Sequence, residues 1–245
     1  MLSQGRFVTW VWLHLLVEDV ANQRLEESVL EDQENKPWRP LPAGRITADE
    51  AQCLLRILVP LTIGFSFLSG GYLPSATLMT FIWLYNDLEG ANAGPFQRNI
   101  INAAGLACFG WGAVSMLMDG WYLTEDNGTQ MFCWIALTAT VVATTVFAQD
   151  FPDMVGDKAR GRKTVPLLYA ETPARVALAL LIMFWSVACP FFWDVVVGAW
   201  LGLLCLGGTM TVLTTCYRSQ SFDETVWRMW CVWITFIYLL PVFRK

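Results

Sequence analysis

The sequence predicts an all-α protein, a polytopic membrane bundle of about seven full spanning helices with a shorter helix in front of them. Three observations predict it. Hydrophobic residues make up 55% of the 245 and charged residues only 15%, against roughly a quarter charged in an ordinary globular domain. Apolar runs close to the ~20 residues that cross a bilayer recur along the whole chain. Thirteen tryptophans supply the amphipathic rings that settle at membrane interfaces. The same composition excludes a disordered chain and a soluble coiled coil. With 16 Lys+Arg against 21 Asp+Glu, the chain lacks the basic face that a nucleic-acid partner requires.

The elements follow in order. The first run, Phe7–Val17, is short for a span and lacks the basic leader and small-residue cleavage site of a signal peptide, so it reads as a helix missing its first turns. Full spans are expected at Cys53–Ser69, Tyr72–Tyr85, Asn99–Met118, Gln130–Ala148, Pro173–Cys189, Phe192–Tyr217 and Thr225–Phe243, with tight links near Gly70–Gly71 and Pro190. Trp83, Tyr85, Trp121 and Tyr122 are placed for interfacial duty. Gly198-x-x-x-Gly202 reads as a helix-packing notch. The seven cysteines are odd in number and form no CxxC pair, so they read as small buried apolar residues. His14 stands alone, which leaves nothing for a His-rich metal site or a Ser-His-Asp triad.

Threading these helices alternately through a bilayer gathers residues 18–52, 86–98, 149–172 and 218–224 on one side. That side holds Arg24, Lys36, Arg39, Arg45, Arg98, Lys158, Arg160, Arg162, Lys163 and Arg218, and the opposite side only Arg6, Arg244 and Lys245. The positive-inside rule puts the long polar loops in the cytosol. The sequon Asn127-Gly128-Thr129 falls in the opposite loop, where a lumenal glycan is allowed.

Two of the cytosolic segments carry chemistry. In Glu18-Asp19-Val20-Ala21-Asn22-Gln23-Arg24-Leu25-Glu26, a helix would set Asp19, Asn22 or Gln23, and Glu26 on one face. In Gln149–Asp157, the aspartates Asp150, Asp153 and Asp157 repeat nearly the same spacing. Helix C-termini carry partial negative charge and repel carboxylates by about 0.3–1 kcal/mol each. Either these are solvated acidic loops, or hard divalent cations lie between the two faces. Oxygen-only donors favour Mg²⁺ over zinc. A basic stretch follows each acidic one: Asn35–Arg45, with Lys36 and Arg39, and Lys158–Pro166, with Arg160, Arg162 and Lys163. Acid, metal and base beside a membrane describe a site for an anionic headgroup on an apolar tail, a prenyl diphosphate.

The wording of these segments carries a resemblance. Asp150-x-x-Asp153-x-x-Gly156-Asp157-x-x-x-Gly161-Arg162-x-Thr164-x-Pro166 is similar to the second aspartate motif of the UbiA superfamily of intramembrane prenyltransferases. Asn35-Lys36-Pro37-Trp38-Arg39-Pro40-Leu41-Pro42-Ala43-Gly44 resembles the segment after that family's first motif. Asp19-x-x-Asn22-Gln23 and Tyr85-Asn86-Asp87-Leu88 resemble the fungal branch, which includes sesquiterpene cyclases. The resemblance implies a single UbiA-type domain over 1–245, with family helix 1 and part of helix 2 absent from its start. It implies Mg²⁺ held by Asp19, Asn22, Glu26, Asp150, Asp153 and Asp157, of which Asp19, Asn22, Asp153 and Asp157 are the catalytic set. Glu18 falls at the motif's leading asparagine, and Asn22 and Glu26 replace aspartates. Lys36, Arg39, Arg98, Lys158 and Arg162 would grip the diphosphate.

The implied reaction is Mg²⁺-dependent ionisation of a prenyl diphosphate, farnesyl by the branch resemblance, ending in a cyclic terpene. The setting is the endoplasmic reticulum membrane, with the active-site loops cytosolic. Candidate rings facing the carbocation are Trp83, Tyr85, Trp111, Trp134, Phe147, Trp185, Trp227 and Trp230, each worth about 0.5–2 kcal/mol if it does so. Prenyl transfer to an aromatic or other acceptor, an inactive truncated remnant and, last, a transporter are the alternatives.

Overall fold

A computed structural model of the chain describes residues 2–117 and 125–245, with side chains from 4–117 and 128–245. The described residues form helices and no strand beyond one isolated bridge, Val195–Arg244. In chain order these are α1 (Leu2–Gln23), α2 (Glu26–Asn35), α3 (Ala48–Ser69), α4 (Tyr72–Asn86), α5 (Pro95–Leu117) and α6 (Glu125–Thr145). After a 3₁₀ turn at Val146–Asp150 come α7 (Met154–Arg160), α8 (Val165–Leu168), α9 (Glu171–Trp193), α10 (Val197–Cys216) and α11 (Gln220–Leu239), closed by a second 3₁₀ turn at Leu240–Phe243.

Among the described residues six of these helices are long and apolar enough to cross a membrane: α3, α5, α6 with its 3₁₀ extension, α9, α10 and α11. The chain is an integral, multi-pass membrane protein. The expected seventh span, α4, has 15 residues, short of the ~20 a straight span needs. It is held between the turn at Gly70–Gly71, where Gly70 caps α3 at φ 86°, and the polar loop after Asn86. The first helix is longer than its apolar run, at 22 residues, because it continues through Glu18–Gln23. The link expected near Pro190 lies four residues later. Pro190 falls inside the last turn of α9, and Asp194, left-handed at φ 45°, ends that helix. Phe192 and Trp193 therefore belong to α9 rather than to the next span.

Two apolar cores result. Trp10, Val17, Leu55, Leu58, Leu78 and Met116 join α1, α3, α4 and α5. Val142, Leu178, Ile182, Leu203, Met210 and Trp233 join α6, α9, α10 and α11. Indole N–H groups stitch the second half: Trp185 to Thr144 at 2.9 Å, Trp230 to Thr145 at 3.0 Å and Trp233 to Ser186 at 2.9 Å. His14 performs the same service in the first half, between the Trp10 carbonyl and the Ser75 hydroxyl. The glycine notch is half realised. A Cβ at Gly202 would meet the Phe236 ring at 2.9 Å, whereas Gly198 faces open space.

All seven cysteines are free, but only Cys108 and Cys189 are buried; Cys53, Cys205, Cys216 and Cys231 are exposed on helices that span, where lipid replaces protein as the apolar neighbour. Trp121, Tyr122 and the side chain of Asn127 lie outside the described residues.

The four polar segments meet at one end of the bundle. Arg24 pairs with Asp87, Lys36 with Asp153, Arg98 with Asp150, and Arg218 donates to Thr172.

Candidate active site

The first acidic segment does not form a single helical face. Its helix stops at Gln23, and Leu25 adopts an extended conformation (φ −75°, ψ 143°) before α2 begins. Asp19 stays on α1 and Glu26 starts α2, both exposed, while Asn22 turns towards the bundle interior. Ionised carboxylates without a cationic neighbour remain in solvent, and the one base of this segment, Arg24, is taken by Asp87.

The residues that meet the second segment come from the inner face of α2. Ser28, Glu31, Asp32 and Asn35 stand at i, i+3, i+4 and i+7 and are all buried. Glu31 receives Arg160 and Arg162, each at 2.9 Å, and Arg162 also reaches Asp157 at 3.2 Å. Asp32 accepts Arg39 on both oxygens, at 2.8 and 2.9 Å. Asn35 locks the two segments together: its Nδ2 donates to the Asp153 carbonyl and its Oδ1 accepts from the Gly156 amide, both at 3.0 Å. A Cβ at Gly156 would lie 2.4 Å from Asn35, so only glycine permits this approach. Neither Glu31 nor Asp32 was singled out from the sequence. The signal that could have found them is the i, i+3, i+4, i+7 spacing of polar residues just ahead of Asn35-Lys36-Pro37.

The second segment does not form one carboxylate face at a helix end: its aspartates stand on the 3₁₀ turn, at the start of α7 and on α7 itself, each beside a different cation. Asp150, wholly buried at the end of the 3₁₀ turn, pairs with Arg98, whose Nε also donates to the Tyr85 hydroxyl at 3.3 Å. Asp153 takes Lys36 Nζ on both oxygens, at 2.8 and 2.7 Å. Asp157 is buried on α7, and desolvation outweighs the pull of Arg98 and Arg162 to push its carboxyl up to about 7. Burial likewise raises Asp32, against the pull of Arg39. Lys158 is exposed. Beneath the segment, Arg175 grips Asp223 with two bonds of 2.7 Å, reaches Glu171 at 2.8 Å, and stacks 4.6 Å over the Phe151 ring.

Five carboxylates (Glu31, Asp32, Asp150, Asp153, Asp157) thus face five cations (Lys36, Arg39, Arg98, Arg160, Arg162), a locally neutral layer. Among the described residues no three acids, histidines or cysteines stand together as a ready-made metal cluster. Asp150 and Asp157 nevertheless each keep one buried carboxylate oxygen without a hydrogen-bond partner. Unpartnered hard oxygens fit a hard cation such as Mg²⁺.

Beside this layer, between the two apolar cores, lies a cavity of about 270 Å³. Glu18, Asn22, Asn86 and Gln149 line it, and Tyr85, Phe81, Phe109, Trp227 and Trp230 supply its aromatic wall. Trp227 and Trp230 stack 5.0 Å apart at 14°. Of the rings named from the sequence, Tyr85, Trp227 and Trp230 thus reach the cavity. Trp111 lines a neighbouring groove, Trp134 donates to the Tyr238 carbonyl, Trp185 and Phe147 are used in packing, and Trp83 is exposed.

A bundle of spanning helices with a charged layer at one end of an aromatic cavity defines an intramembrane enzyme. The UbiA prenyltransferase family pattern matches residues 6–240. The chain is 33% identical to the fumagillin beta-trans-bergamotene synthase of Aspergillus fumigatus over 96% of this chain and 79% of that one. It is 29% identical to the somaliensene A/B synthase of Streptomyces somaliensis over 93% and 75%. In fold it is similar to a UbiA homologue from Archaeoglobus fulgidus bound to DMAPP and Mg²⁺, with a TM-score of 0.60, 12% identity, and 98% of this chain and 86% of that one covered. The chain belongs to the UbiA prenyltransferase family and is an enzyme of that superfamily.

Proposed function

We propose that the chain ionises a prenyl diphosphate, farnesyl in the first instance, and cyclises the resulting allylic cation to a terpene. One observation carries this reading: the five-acid, five-base layer stands next to an aromatic cavity inside a membrane bundle. Asp150, Asp153 and Asp157, with Asn22, Glu31 and Asp32, would hold Mg²⁺; Asp19 and Glu26, the other members of the family's first motif, are exposed. When bound, the metal supplies Lewis-acid neutralisation of the leaving diphosphate.

The chain's own side chains do the rest. Lys36, Arg39, Arg98 and Arg162 exchange carboxylate oxygens for diphosphate oxygens, and Lys158 reaches in from the exposed side. Tyr85, Trp227 and Trp230 present π faces to the developing positive charge, and the apolar walls exclude water that would quench it. A cavity of about 270 Å³, below the ~300–1,000 Å³ of sites for drug-sized ligands, leaves little room for an acceptor beside the prenyl tail. That, with the likeness to a bergamotene synthase, favours cyclisation over transfer. The excess of Lys and Arg on this end supports a cytosolic orientation, and the endoplasmic reticulum is the host membrane we propose.

The test is incubation of membranes containing the chain with geranyl, farnesyl and geranylgeranyl diphosphates and Mg²⁺, with and without aromatic acceptors. Terpene hydrocarbons formed without acceptor are expected. A product that requires acceptor makes the chain a transferase, and no diphosphate release from any mixture overturns the reading.

A further inference from the structure

Two voids flank α5. One is the aromatic cavity, reached by Asn102, Gly105 and Phe109 of that helix. The other is an apolar groove of about 460 Å³ between α5 and α6, lined by Ala104, Ala107 and Trp111 on one side and by Met131, Ile135 and the exposed Phe132 on the other, and open at the surface of the bundle. Among the described residues, Phe81 of α4 alone lines both. The wall beside it is thin, because α5 reads Ala103-Ala104-Gly105 with Ala107 one turn on. A single ring therefore divides a cavity that opens at the charged layer from a groove with almost no polar surface.

We infer that Phe81 is the partition that sets the length of the prenyl chain, and that the groove behind it takes the distal isoprene units of a longer chain once that ring is removed. The inference rests on the prenyl diphosphate reading above. Its chemistry is steric and apolar. A prenyl tail is uniform along its length, so only a wall at a fixed depth discriminates one isoprene unit from the next. Phe→Ala deletes about six carbons' worth of side chain, about the bulk of one five-carbon unit. A hydrophobic pocket discriminates by about 10- to 200-fold per methylene. Among the described residues Phe81 is the one side chain that the groove and the cavity share, and the groove carries no charged side chain.

The experiment compares wild type, Phe81→Ala, Phe81→Trp and the double variant Phe81→Ala/Ala107→Phe in two assays. One is diphosphate release from geranyl, farnesyl and geranylgeranyl diphosphates. The other is equilibrium binding of hydrolysis-resistant thiolo-diphosphates of the same three lengths to purified protein. Phe81→Ala is expected to raise the geranylgeranyl-to-farnesyl ratio at least tenfold in both assays. Phe81→Trp should lower the farnesyl-to-geranyl ratio, and Ala107→Phe, refilling the groove, should return the first ratio towards wild type.

Diphosphate release by wild type with unchanged ratios in the variants overturns the partition and leaves the proposed function standing. Shifted binding ratios without release from any form support the partition and sink the reaction. Wild type that binds none of the three analogues overturns both.

Discussion

The two acid-bearing segments begin alike and end differently. In each a long helix stops, the backbone turns, and a short helix follows: α1 into α2, and α6 through its 3₁₀ turn into α7. In the second, Asp150 and Asp157 are wholly buried and both face arginines. In the first, the acids at matching positions, Asp19 and Glu26, are exposed, and burial falls instead to Glu31 and Asp32, well beyond the end of α1. The difference teaches that nearness to a helix end does not bury a carboxylate. A cation within reach does, because an unpaired buried charge costs several kcal/mol. Arg98 reaches Asp150 and Arg162 reaches Asp157, whereas in the first segment Arg39, Arg160 and Arg162 reach the inner-face acids Asp32 and Glu31 rather than Asp19 or Glu26.

The comparison breaks hardest at the second segment. Asp153→Ala is expected to lower turnover by about 10³-fold or more, equivalent to about 4 kcal/mol of transition-state stabilisation, with membrane insertion intact by protease protection. Turnover retained at wild-type level would remove this segment from the reaction. The next effect is on stability. Glu31→Gln leaves Arg160 and Arg162 short of their shared carboxylate, and breaking such a buried pair costs about 3 kcal/mol. Thermal unfolding in detergent should show it, and a midpoint unmoved by Glu31→Gln would mean that α2 is not held to α7 by charge.

A third effect separates the segments by pH. Asp157 has a folded pKa of about 7 against an ordinary 3.8, so it binds a proton more tightly when folded. Its contribution to stability is therefore fully present below about pH 4 and is lost as pH rises through about 7. In protein stripped of divalent cations, stability should fall across that window by up to about 1.4 kcal/mol per pH unit. Asp157→Asn should flatten the slope; an equally steep slope in that variant would assign it to another group.

Much of this was legible in the residues. Apolar runs marked nearly every long helix, since a spanning helix must be apolar over most of its length. The charge bias sorted the loops to one end, where Arg24–Asp87 and Arg98–Asp150 now join them. Asp150, Asp153 and Asp157 were singled out by their regular spacing, but only Asp157 meets a base of its own segment, while Arg98 and Lys36 come from 52 and 117 residues away. Two kinds of feature were hidden. The break after Gln23 has no proline or glycine to announce it, so one helix was expected where Leu25 divides two. The Arg175–Asp223 clasp joins residues 48 apart, and no local pattern signals a pair made only when α9 and α11 both pack on α10.

The smallest predicted effects draw the comparison most finely. Glu26 and Glu31 lie five residues apart on one short helix and carry the same side chain. What separates them is the face of α2 on which they stand. Glu26→Gln exposes nothing, frees no arginine and leaves the packing against α7 untouched, so unfolding should shift by less than about 0.5 kcal/mol. If metal-bound turnover also survives Glu26→Gln while Glu31→Gln loses it, the acidic role of the first segment belongs to the inner face of α2. If Glu26→Gln instead raises the Mg²⁺ concentration needed for half-maximal rate, the exposed carboxylates of Asp19 and Glu26 join the metal site when substrate arrives. The break at Leu25 would then be the place where the first segment rearranges.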